Sequence, residues 1–151
     1  DVLQARAWVD FYKQRGFQVA LIHKAKSPSR TAEFRHLLGE HPELVDYARV
    51  VQAEATVSSE DALHLYGGGY LNSVWGIEFS KLLCAFGRRG AKTFSTGTQV
   101  DPDWASEYRD HIQYVANVEW ISLRDTYSRN YLGADQALLC DDYVMIPSFI
   151  S

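Results

Sequence analysis

Along this chain, stretches with an apolar residue at every third or fourth position alternate with nearly uninterrupted apolar runs. Val2, Ala5, Trp8, Val9 and Tyr12 share one helical face, so residues 1–15 read as an amphipathic helix that Asp1 can cap and Gly16 can stop. The run "FQVALIH" (17–23) predicts a strand, "KAKSPSR" (24–30) a basic loop, and Thr31 to Leu38 a helix that "HPEL" (41–44) breaks and restarts. "ARVVQA" (48–53) reads as a strand, as does "DALHLY" (61–66). Asn72 or Ser73 can cap a helix running to about Phe86, with Trp75, Phe79, Leu82, Leu83 and Phe86 on one stripe. "KTFSTG" (92–97) predicts a strand. Asp101 or Asp103 then caps a helix that turns Trp104, Tyr108, Ile112 and Val115 inward. "VEWISLR" (118–124) is a strand, Thr126–Leu132 a short helix closed by Gly133, and "QALLCDDYVMIP" (136–147) a last strand and exit.

Strands that alternate with helices and are apolar almost throughout predict an α/β fold. Its sheet is expected to be Rossmann-like and mostly parallel, with helices on both faces. If Asp1 caps the first helix, the strand that should precede it lies upstream. Residues 1–151 are therefore expected to be one Rossmann-like domain, the N-terminal half of a longer two-domain protein. A net charge of −4 argues against a duplex nucleic-acid binder, and no apolar run approaches the ~20 residues of a membrane span. Cys84 and Cys140 form neither a disulfide framework nor a zinc pattern, which points to reduced thiols in a cytoplasmic protein. No metal-ligand cluster and no cofactor motif is visible. Residues 1–30 hold six Lys or Arg against two Asp, a bias that usually marks a solvated face.

The densest chemical signal is "LHLYGGGYLN" (63–72), where Gly67, Gly68 and Gly69 follow a strand and precede a helix. Ligands of open α/β sheets bind outside the carboxyl ends of the strands, and glycine lets backbone approach them closely. Backbone N–H groups and a helix dipole favour an anion there. The simpler reading is a tight strand-to-helix turn with no ligand. The spacing fails the dinucleotide fingerprint at its third glycine, and no Walker Gly-Lys-Ser/Thr, Gly-x-Ser-x-Gly elbow or His-Glu-x-x-His is present. At the next strand end, Thr96, Gly97, Thr98 and Gln99 can line a cleft or form a capped loop. Arg124 then stands where a guanidinium can bind carboxylate or phosphate, or can pair with Asp125, which can itself cap the helix. Asp141 and Asp142 close the last strand. Adjacent residues of an extended chain face opposite ways, so only one of them is expected to reach the cleft. His64, in mid-strand, reads as a core histidine, and His23 as a surface residue at its strand end.

Taken in order, "DVLQARAW", "LHLYGGGYLN" with Trp75 after it, "STGTQV", "ISLRDTYSRNYL" and "CDDYVMIP" resemble the polysaccharide pyruvyl transferase family. The resemblance covers most of the chain and is weakest at 24–57. Family members commonly begin with an Asn and a Gly-Asp loop leading into the first helix, and Asp1 looks like the Asp of that loop. The resemblance implies one half of a glycosyltransferase-B-like enzyme with its active site between two Rossmann-like halves. The implied reaction moves a pyruvyl group from phosphoenolpyruvate to saccharide hydroxyls, forming a ketal in polysaccharide biosynthesis. The implied partners are that donor and a saccharide acceptor, with room for peripheral contact with a lipid-linked acceptor; no nucleic-acid partner is expected from the charge.

Such chemistry needs cations and N–H donors for the carboxylate and phosphate, an acid for the methylene carbon and a base for the sugar hydroxyl. Gly67, Gly68, Gly69 and Asn72, with Thr96 and Gly97, are the expected substrate contacts. Arg124 is the expected anion binder, and Asp141 or Asp142 the sugar contact or base. Two rival readings use the same residues: half of a glycosyltransferase-B enzyme taking a nucleotide sugar, and a non-catalytic module that binds a saccharide.

Overall fold

The computed structural model describes residues 2–23, 32, 35–36, 38, 43–66, 69–133 and 138–139. They fall into two compact units, one within residues 1–55 and one beginning at Thr56.

In the first unit, helix α1 (Val2–Gln14) ends in a Schellman turn. The Phe17 N–H donates to the Tyr12 carbonyl at 3.1 Å and the Gly16 N–H to the Lys13 carbonyl at 2.9 Å. Gly16 sits at φ 84°, and the Phe17 and Tyr12 rings meet at 6.0 Å, the apolar contact that accompanies this turn. Strand β1 (Ala20–His23) pairs in parallel with β2 (Glu43–Asp46), Ala20 opposite Glu43 and His23 opposite Asp46. Ala5, Val9, Leu21 and Leu38 are buried.

Two sequence expectations change here. Residues 43–44 belong to a strand rather than to a restarted helix, and Tyr47–Gln52 is helix α2 rather than a strand. The Asp46 carboxylate accepts from the Ala48 N–H at 2.8 Å, and that cap outweighs the β propensity of two valines in a segment with no buried residue. The loop read at 24–30 and most of the helix read at 31–38 lie outside the described residues.

The second unit is a four-stranded parallel sheet in the order β3 (Ala62–Tyr66), β4 (Lys92–Thr98), β5 (Trp120–Leu123) and β6 (Leu138–Leu139). Parallel neighbours need crossovers, and these are helix α3 (Glu78–Arg88), helices α4 (Pro102–Glu107) and α5 (Arg109–Ala116), and helix α6 (Thr126–Leu132). Because each step moves to the next strand in the same direction, right-handed crossovers put these helices on one face. There α3 packs on α5, and α5 on α6. The mixed α/β, parallel, Rossmann-like architecture is therefore the one the apolar pattern predicts, while the helices expected on both faces lie on one face of this sheet among the described residues.

Helix α3 starts later than its apolar stripe suggested. Asn72 does cap, but it caps a turn through residues 73–77, and Gly76 at φ 58° interrupts the path to a regular helix. The single helix expected after Asp101 is two, broken at Tyr108 with φ −115° and ψ 42°. Asp101 caps the first of them, accepting from the Asp103 and Trp104 N–H groups. Trp104 and Val115 are buried as expected, whereas Tyr108 and Ile112 keep partial exposure. Only residues 138–139 of the last predicted strand are described.

His64 sits among the Tyr66 and Phe94 rings, with its Nε2 2.9 Å from Thr96 Oγ1. Burial pushes its pKa down to about 4 from an ordinary value of 6.5. The unfolded chain then binds the proton more readily, so stability rises with pH through this window and is lost as pH falls from about 6.5 toward 4. We expect His64 to contribute a loss of about 3 kcal/mol across that interval. Urea unfolding at pH 4.5 and 6.5 checks it: His64→Gln should flatten the difference, and an equal pH dependence in the variant would remove His64 as its source.

Candidate functional site

The carboxyl ends of β3, β4 and β5 meet at one rim of the second unit's sheet. In the loop after β3 the first described residue is Gly69, which is exposed; Gly67 and Gly68 lie outside the described residues. A Cβ built on Gly69 would meet nothing closer than Gln99 Oε1 at 3.7 Å and Asn72 Nδ2 at 3.8 Å. The loop after β3 thus faces the end of β4 across a gap that a small side chain would partly fill.

Strand β4 is irregular there. Its register with β5 shifts between Ser95 and Thr98, and Gly97 lies at φ 60° between them with its N–H donated to Ser122 Oγ at 3.0 Å. The extra residue brings the Ser95 and Thr98 hydroxyls, three positions apart, onto the same side, where they hydrogen bond. Thr96, read as a cleft residue, points its hydroxyl at His64 and is buried. Gly97 serves as the bulge.

Arg124 follows β5 and is partly buried, and its backbone N–H donates to the Thr98 carbonyl at 3.0 Å. Its guanidinium acts on Tyr70, whose hydroxyl is buried beside Ser95 and Thr98. Burial pushes the Tyr70 phenol up, while the two hydroxyls and the Arg124 charge pull it back. Burial also raises Tyr66, with Tyr70 adding to the effect, to about 12. Both phenols are therefore neutral at physiological pH, and the Tyr70 hydroxyl is buried near one cation and two hydroxyls. Tyr70 in turn packs on Phe79 of α3 at 5.4 Å between ring centroids.

Hydrogen bonds hold these loops to one another. Leu71 bridges Val100 in parallel, and the Asp101 N–H donates to the Leu71 carbonyl at 2.9 Å. The Val100 N–H donates to Ser128 Oγ at 2.9 Å, and Ser128 donates through its N–H and its hydroxyl to the Asp125 carboxylate. Asp125 thus caps α6, one of its two expected roles. Trp104 Nε1 donates to the Gly76 carbonyl at 2.6 Å. The Asn72 amide donates to the Gly69 carbonyl and accepts from the Val74 and Trp75 N–H groups at 2.9 and 3.2 Å. It therefore shapes the loop that was expected to use it as a ligand contact.

The rim brings together Gly69, Gln99 and Arg124 of the expected residues. Asp141 and Asp142 lie outside the described residues. The sequence reading assigned no role to Tyr70, Ser122 or Ser128; only the bulge at Gly97 and the capping Asp125 hinted that nearby hydroxyls would be recruited. Among the described residues no group of three His, Cys, Asp or Glu could hold a metal ion, and no helix is long and apolar enough to cross a membrane. No protein-family model, curated protein or solved structure matches this chain.

Ser128→Ala should strand the buried Val100 N–H and cost about 1–3 kcal/mol in chemical unfolding. Amide exchange at Val100 should quicken. Unchanged stability and exchange would show that Ser128 does not hold the two loops together.

Proposed function

We propose that this chain forms part of a pyruvyl transferase that moves the three-carbon unit of phosphoenolpyruvate onto two hydroxyls of one saccharide. The observation that supports the reading best is exposed, side-chain-free backbone at Gly69 beside Gln99, at the same rim as the Arg124 cation. A dianionic substrate with a carboxylate and a phosphate calls for such a set, and the quoted motifs carry the family resemblance.

The chemistry balances on the substrates' own atoms. A proton adds to the methylene carbon of phosphoenolpyruvate and one sugar oxygen bonds to the adjacent carbon, giving up its proton to a base. A second sugar oxygen then bonds to the same carbon, the bond to the phosphate oxygen breaks, and phosphate leaves with the electron pair and takes up the proton of the second hydroxyl. In this reading Arg124 binds the carboxylate or phosphate, Gly69 lets the donor approach the backbone, and Asp141 or Asp142 contacts the sugar hydroxyls or takes the proton. The reaction is placed in the cytoplasm, and the acceptor is a polysaccharide precursor.

Phosphate release from phosphoenolpyruvate that depends on an added saccharide acceptor is the expected result for the full protein. No release across a broad acceptor panel, or turnover of nucleotide sugars instead, would overturn the reading. Arg124→Lys should raise the KM for phosphoenolpyruvate about tenfold or more, since an ammonium cannot replace a bidentate fork. Gly69→Val should abolish transfer and leave circular dichroism nearly unchanged, because a Cβ there meets only ordinary contacts. Unimpaired transfer by that variant would remove the cleft role of the glycine loop.

A further inference from the structure

We infer that the groove between α4, α5 and α6 is a binding site for a neutral saccharide. Its volume is about 440 Å³, within the range of about 300–1,000 Å³ that small-molecule sites occupy. One wall is a helical stripe. Pro102, Ala105, Ser106 and Arg109 recur at three- and four-residue spacing on both sides of the break at Tyr108, and Ile112 continues the row. Asn130 and Tyr131 of α6 form the other wall. None of these residues belongs to the rim at Gly69, Gln99 and Arg124.

The walls offer polar groups that the fold has not used. Ser106, Arg109, Asn130 and Tyr131 are exposed, and among the described residues no hydrogen bond or ion pair engages their side chains. The guanidinium donates, while the amide and the two hydroxyls both donate and accept. Ala105, buried, and the half-buried Ile112 supply the apolar part. Tyr127 and Tyr131 stand one turn apart on the same side of α6, 73% and 39% exposed, and among the described residues neither ring packs on another.

These components match a pyranose. Its C–H face stacks on an aromatic ring, and a planar fork or amide reaches two neighbouring hydroxyls, which themselves give and accept hydrogen bonds. Charge selects against an acid. Residues 101–110 hold the carboxylates of Asp101, Asp103, Glu107 and Asp110 against Arg109 alone, and residues 125–132 add one of each sign, Asp125 and Arg129. A phosphate or carboxylate would enter that negative surround at a cost that a neutral polyol does not meet. An apolar ligand would strip water from the polar walls without replacing its bonds. The inference is independent of pyruvyl transfer.

Saturation-transfer NMR on the full protein tests it, with cellotriose, maltotriose and mannotriose as neutral probes and glucose 6-phosphate as the charged comparison. We expect transfer to the C–H protons of at least one neutral probe, and a dissociation constant raised about tenfold or more by Tyr131→Ala and by Asn130→Ala. Tyr131→Phe keeps the ring and should retain most of the binding. Both positions are exposed, so circular dichroism should not change. No transfer to any neutral probe, tighter binding of glucose 6-phosphate than of all three, or unchanged binding in either alanine variant would overturn it. So would binding that Gly69→Val abolishes and Tyr131→Ala keeps, since the sugar would then sit at the rim.

Discussion

The irregularity at Gly97 sets the geometry of the whole rim. A regular strand sends residues 95 and 98 to opposite faces, and a left-handed backbone at φ 60° between them cancels that alternation. The Ser95 and Thr98 hydroxyls then face the same buried space, and the Tyr70 hydroxyl is placed beside them. The shift also presents the Thr98 carbonyl to the Arg124 N–H, so the end of β4 is fixed to the residue that carries the cation. Ser122 receives the Gly97 N–H, which leaves the bulge without an orphaned donor.

Loops are usually the mobile parts of a parallel α/β unit, and here hydrogen bonds tie three of them together. Leu71 to Val100, Val100 to Ser128 and Ser128 to Asp125 form a chain of bonds that runs across the ends of three strands. Ser128 is fully buried, so its bonds are shielded from water and costly to break. The strand ends are therefore held in one arrangement, and burial pushes the Tyr66 and Tyr70 phenols further above their ordinary value.

The sequence by itself determined the alternation of elements, the parallel strands, Gly16 as the stop of the first helix, and the capping candidates among which Asp101 and Asp125 do cap. These depend on local periodicity, cap chemistry and apolar runs, which neighbouring residues carry in full. It misjudged Tyr47–Gln52, where a side-chain cap from Asp46 overrode β propensity, and the start of α3, where Gly76 broke an apolar stripe that was otherwise helical. Tertiary structure alone decided that Thr96 serves His64 and that Tyr70, Ser122 and Ser128 join the rim. The physical reason is that a hydroxyl or amide has the same local sequence signature wherever it points. Its direction is fixed by strand register and by a bulge, and both depend on residues 25 to 32 positions away.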